Sequence, residues 1–157
     1  IEDAHKAGKI RAFGVSNFTQ AQITALAQFS AVPIVSTQPE LSPLRIDTIE
    51  NGELDQAIAM DLAVMAWSPL GGGRIGAPSN AREQSVAAAL SGVAAAHNVS
   101  RTAAAYSWIM AHPDRPIPIV GSQNPARIIE AADAFKIQWT RADWYSVLVA
   151  ARGVPLP

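Results

Sequence analysis

Four short apolar runs, Ile10 to Val15, Pro33 to Ser36, Leu62 to Trp67 and Ile117 to Val120, recur along the 157 residues with helical patterns between them. Their starts lie about 25 to 55 residues apart, too far for hairpins and far enough for a crossover helix, so the strands they predict run parallel in an α/β sheet. The first run has a helix end behind it and a Ser16-Asn17 turn ahead, which suits a strand buried on both faces. A complete (β/α)₈ barrel takes roughly 250 residues and eight strands. Four strands fit half of such a barrel or, by pattern alone, a small open doubly wound sheet.

Helix signals punctuate the intervals. Ile1 to Gly8 reads as the last turns of a helix ending at a glycine. Thr19-Gln20-Ala21-Gln22 supplies a capping box for a helix with Ile23, Leu26, Ala27 and Phe29 inward. Gly52 to Asp61 is helical with Leu54, Ile58 and Ala59 inward, and two alanine-rich helices follow over Glu83 to His97 and, capped by Ser100, Arg101 to His112. Asn124-Pro125 opens a helix as N-cap and first residue, and Thr140 to Asp143 caps a last helix bearing Trp144, Val147, Leu148 and Ala151.

Composition narrows the partners. Twelve Lys and Arg against 13 Asp and Glu leave a net charge of −1, with no basic patch for nucleic acid and no basic run for an anionic membrane. A small neutral or anionic ligand is the expected partner. The absence of cysteine excludes disulfides and thiolate metal sites, and three scattered histidines, each near a helix end, predict no metal site. No apolar stretch reaches the roughly 20 residues that cross a bilayer, so the expectation is a soluble, cytoplasmic protein. The first residue is Ile1, no charged n-region precedes an apolar core, and the chain is expected to begin mid-fold.

The loops separate the two sheet readings. Gly8-Lys9-Ile10-Arg11-Ala12-Phe13-Gly14-Val15-Ser16-Asn17-Phe18, Gln38-Pro39-Glu40-Leu41-Ser42, Ala66 to Gly73, Ile117 to Arg127 and the ending Trp144 to Pro157, in that order, resemble the aldo-keto reductase superfamily from end to end. The likeness is strongest to bacterial NADP-dependent oxidoreductases whose seventh strand ends Trp-Ser-Pro-Leu-Gly-Gly-Gly. It implies that residues 1–157 are a partial oxidoreductase domain, the C-terminal half of a (β/α)₈ TIM barrel carrying strands five to eight, with the N-terminal half missing. It also implies hydride transfer from NADPH, without a metal, to a small aldehyde or ketone.

The same resemblance assigns the site. Ser16, Asn17 and Gln38 hydrogen-bond the nicotinamide carboxamide, and Trp67 stacks under the ring. Ser68, Leu70, Gly71 and Gly73 carry the backbone close to the pyrophosphate. Gly121, Ser122, Gln123 and Arg127 take the phosphates, Arg127 clamping the adenosine 2′-phosphate and so favouring NADP(H), while Glu130 meets the adenine amine. Ala131 stands where the family often has Asn. Independently of family, a glycine turn into a helix N-terminus makes an anion site, and Arg127 in that first turn opposes the dipole as a purely structural residue would not. Arg74 reads as either a phosphate ligand or an ordinary solvated charge, the second slightly preferred, and Tyr106 and Tyr145 as packing residues.

The family's catalytic Asp, Tyr, Lys and His lie on the first four strands, so no catalytic residue is assigned here and the chain alone is expected to be inactive. Half a barrel leaves edges near Ile10 to Val15 and Ile117 to Val120 open to self-association. A nucleotide-sensing regulatory subunit and a half-barrel interaction module are the alternatives.

Overall fold

Each capping signal closes on its own residues. Thr19 accepts from the Gln22 amide and Gln22 answers to the Thr19 amide, which starts α2, Gln20–Phe29. Ser100 starts α6, Arg101–Met110; Asn124 with Pro125 starts α7, Pro125–Ala132; Thr140 starts α8, Arg141–Arg152. Gly8, at φ 69°, follows the short α1, Glu2–Lys6. Two further short helices, α3 (Asp47–Glu50) and α4 (Glu53–Ala59), fill the second crossover, and α5, Ala81–Ala96, crosses from the third strand. His97 ends α5 with Nδ1 3.0 Å from the Val93 carbonyl, and His112 lies beside Trp144, so both serve packing and capping.

The computed structural model describes residues 1–156, so the Pro157 end of the expected tail lies outside the described residues. Its four strands, β1 (Phe13–Ser16), β2 (Ile34–Gln38), β3 (Ala63–Ala66) and β4 (Ile117–Pro118), pair in the order β1-β2-β3-β4, every pair parallel. Chain order matches spatial order, which is how one arc of a (β/α)₈ barrel is wound. The open doubly wound alternative, with its reversal of strand order, is excluded.

Several faces differ from expectation. β1 is not buried on both faces: Phe13 and Val15 are half-buried, Gly14 and Ser16 exposed, because β1 is an edge with one neighbour only. On α2 Ile23 is buried and Leu26 half-buried, but Ala27 is exposed and Phe29 is 86% exposed. On α4 Leu54 and Ala57 face inward, whereas Ile58 and Ala59 are exposed. β4 is only two residues long. The well-packed centre lies instead between β3, α5, α6 and α8, where Val64, Val86, Leu90, Trp108, Ile109 and Val147 are all but inaccessible. There Trp108 and Trp144 stack at 5.0 Å, each indole N–H donating to the other's carbonyl.

Candidate functional site

The loop motifs singled out in the sequence follow the C-terminal ends of the strands, and parallel pairing draws them to one end of the sheet. At the β1 and β2 ends, the Ser16 hydroxyl and the Asn17 amide both donate to the Gln38 carbonyl, at 3.0 and 3.2 Å. The Trp67 amide donates to the Pro39 carbonyl and the Leu41 amide to the Trp67 carbonyl, which carries the β2–β3 ladder past the end of β3. Asn17 takes a left-handed backbone at φ 56°, tolerated by its short polar side chain. That turn aims its side chain across the sheet, where Oδ1 accepts from Trp67 Nε1 at 2.8 Å. The four residues assigned to the nicotinamide end therefore form one connected group. With its oxygen taken by the indole, the Asn17 amide has its NH₂ to offer, while Gln38 joins the group through its backbone carbonyl.

Next to this group lies a polar cleft of about 480 Å³ that the sequence did not disclose, walled by Glu40, Arg45, Asp47, Asn51 and Glu53 with Asn17 and Trp67. Arg45 Nε pairs with Asp47 at 3.1 Å and reaches Glu40 at 3.9 Å. The pairing spans a loop with no periodic pattern, which is why no local signal marks it.

The remaining expected residues surround a second cleft of about 610 Å³ between the β3 and β4 loops. Ser68, Leu70, Gly73, Gly121, Ser122, Arg127 and Glu130 all line it, joined by Gly72, Thr102 and Tyr106. Gly71 and Gln123 do not. The Gly71 backbone is turned toward Leu44, whose Cδ1 would lie 3.1 Å from an added Cβ, and Gln123 is exposed. The glycine amides are also committed inward rather than open as a nest: Gly71 donates to the Ser68 carbonyl at 2.8 Å, Gly72 to Ser68 Oγ at 3.1 Å and Gly73 to the Leu70 carbonyl at 3.1 Å. What Gly72 and Gly73 offer is room, since an added Cβ at either would meet nothing within 4 Å. Arg74 is not simply solvated; its Nε donates to the Gly71 carbonyl at 2.7 Å and its Nη1 reaches Glu83 at 3.3 Å.

The opposite wall is the start of α7. Asn124 Oδ1 accepts from the Ala126 amide at 3.0 Å, and the Asn124 amide donates to Ser122 Oγ at 3.2 Å, which fixes the turn. Arg127 is exposed at the cleft and joins no ion pair among the described residues. A helix N-terminus, an unpaired guanidinium and hydroxyls on both walls form a donor set suited to anionic oxygens. Tyr106, 5% exposed, closes the floor; burial, with Glu130 nearby, pushes its phenol above the ordinary range and keeps it neutral. Its place on the inner face of α6 reads in sequence only as packing.

The model of the aldo/keto reductase family matches residues 1–148. The chain is 60% identical over its whole length to a 6-dehydroglucose reductase of Novosphingobium aromaticivorans, covering 52% of that protein. It is 36% identical over 154 residues to oxidoreductase YdhF of Escherichia coli, covering 98% of this chain and 51% of that one. An aldose reductase from Giardia lamblia superposes with a TM-score of 0.81 at 20% identity, covering 99% of this chain and 50% of the other. A thermostable aldo-keto reductase solved with the inhibitor epalrestat gives 0.81 at 22% identity, over 95% and 52%. The chain thus spans about half the length of the relatives it matches, and its four parallel strands are half of their barrel. On sequence and on fold alike, this chain belongs to the aldo/keto reductase family.

Proposed function

We propose that this chain is the dinucleotide-gripping half of an NADPH-dependent aldo/keto reductase, and that Ser16, Asn17, Gln38, Trp67, Ser68, Leu70, Gly73, Gly121, Ser122, Arg127 and Glu130 hold the cofactor. The single observation that carries the reading is the cleft between the β3 and β4 loops, where six residues drawn from two distant stretches of sequence converge around an unpaired Arg127. Asn17, Trp67 and Gln38 would hold the carboxamide end, so that one face of the nicotinamide is presented. Ser122 and Arg127 would meet the 2′-phosphate, and the bare backbone of Gly72 and Gly73 would admit the pyrophosphate. Gly71, turned toward Leu44, and the exposed Gln123 do not line the cleft, and this reading gives them no direct contact. NADPH, when bound, supplies the hydride for reduction of a carbonyl to an alcohol.

The carbonyl substrate of the whole protein is proposed to be a sugar carbonyl such as 6-dehydroglucose, on the strength of the relative at 60% identity. Carbonyl protonation needs a donor that none of the assigned residues provides, and Tyr106 is buried in the phosphate-side cleft. The 157 residues alone are therefore expected to bind NADPH and to leave 4-nitrobenzaldehyde unreduced. Titration followed by Trp fluorescence tests the first half: Trp67 should be quenched on binding. A titration with no saturable quenching sinks the cofactor assignment, and turnover above background sinks the assignment of catalysis to other residues.

A further inference from the structure

Behind the glycine loop, on the side away from the cleft, Glu83 gathers more partners than a helix cap requires. It stands three residues after the N-cap Asn80 of α5, is 4% exposed, and accepts from the Ser79 amide at 2.7 Å and the Ser79 hydroxyl at 2.8 Å. Those bonds tie it to the residue before the N-cap, while Asn80 Oδ1 accepts from the Glu83 amide at 3.0 Å. A third bond to the carboxylate goes elsewhere: Arg74 Nη1 lies 3.3 Å from Glu83 Oε1, while Arg74 Nε donates to the Gly71 carbonyl at 2.7 Å. One guanidinium thus spans from the α5 cap to the loop backbone. The loop it grips takes left-handed angles at Ser68 and at three successive glycines, Gly71, Gly72 and Gly73, with φ of 52°, 58°, 67° and 90°. A run of glycines has many conformations open to it, and a fixed one needs an external hold. The Ser79 amide and hydroxyl keep the Glu83 carboxyl below the ordinary carboxylate range, so it stays charged toward Arg74.

We propose that Glu83 and Arg74 are positioning residues that brace the glycine loop from behind in the shape that receives the dinucleotide's pyrophosphate. Neither side chain is among those lining the cleft, and the proposal gives neither a contact with the ligand. The brace acts by removing loop conformations that would otherwise have to be lost on binding. This inference rests on the cofactor reading above, and the test separates the two.

Glu83→Gln keeps an acceptor for Ser79 and loses the charge toward Arg74; Arg74→Met keeps the stem and loses both bonds. Two probes are titrated into the 157-residue chain and its variants: 2′-phospho-ADP-ribose, which carries the pyrophosphate, and 2′,5′-ADP, which lacks it. Each variant should weaken the first about fivefold and leave the second unchanged, and the double variant should be no weaker than either single one, because the two residues act through one linkage. Equal weakening of both probes, or none of either, overturns the brace. Failure of the parent chain to bind either probe overturns the cofactor reading instead. The brace is then decided by amide hydrogen exchange: faster exchange at Gly72 and Gly73 in Glu83→Gln supports it, and unchanged exchange overturns it.

Discussion

Trp67 Nε1 donates to Asn17 Oδ1 at 2.8 Å across two strands, joining the loop after β1 to the loop after β3. The bond orients the Asn17 amide and pins the indole. Asn17→Asp preserves the acceptor for the indole and removes the NH₂ donor. Its expected outcome is near-native thermal stability with NADPH affinity about tenfold lower, a loss on the order of one hydrogen bond to a ligand. Asn17→Ala should lose both. Differential scanning fluorimetry and NADPH titration of the two variants check it.

Gly14 faces Ser36 on β2 so closely that an added Cβ would lie 2.0 Å from Ser36 Oγ and 2.6 Å from the Ser36 carbonyl oxygen. The carbonyl is ladder backbone and cannot step aside. Gly14→Ala should therefore push β1 off β2 and lower stability by about 1–3 kcal/mol, read by urea denaturation. Gly92→Ala, where an added Cβ meets nothing within 4 Å inside α5, should instead be neutral or stabilising, by up to about 1 kcal/mol.

Arg127 is exposed and without an ion-pair partner among the described residues, at the rim of a cleft floored by neutral Tyr106. Arg127→Gln should weaken NADPH by about ten- to a hundredfold, as loss of a charge-assisted contact of roughly 1.5–3 kcal/mol implies. NADH should be barely affected, so the preference between the two cofactors collapses. Parallel titrations with both check it, and equal losses would count against the 2′-phosphate assignment.

Asp114 has a buried carboxylate oxygen, Oδ2, without a hydrogen-bond partner, and burial pushes its pKa up to about 6. The folded pKa lies above that of the unfolded chain, so the contribution favours folding at low pH and is lost as pH rises through about 6. Asp114→Asn should flatten that dependence. At pH 8 it should raise the unfolding midpoint by about 2 °C, with little change at pH 4. Thermal melts at the two pH values decide it.

Near the free edge of β4, Ile117, Ile128 and Phe135 are 56%, 48% and 79% exposed and line an apolar groove of about 480 Å³. Exposed apolar surface next to an unpaired parallel edge favours association. The 157-residue chain is expected to run above monomer mass in sedimentation velocity, and Ile128→Ser with Phe135→Ser should shift it toward monomer. A stable monomer at tens of micromolar would remove this expectation.

The helix starts at Thr19, Ser100, Asn124 and Thr140 were legible because a cap is a contract between residues two or three apart. Strand number and parallel sense were legible from the lengths of the crossovers, and the loop motifs carried the family. Which face each element would bury was less so. Phe29 and Ile58 fall on periodic apolar positions, yet they are exposed, because burial depends on what lies opposite: α2 follows the edge strand β1, and on α4 Leu54 and Ala57 take the inward face. The site divides the same way. The sequence determined which residue types stand at the strand ends. The tertiary structure alone decided that Trp67 would bond Asn17, that Arg74 would bond Gly71 and Glu83, and that Tyr106 would floor the cleft. Each of these is a meeting of side chains or backbone fixed by packing, and no local rule of sequence determines such distances.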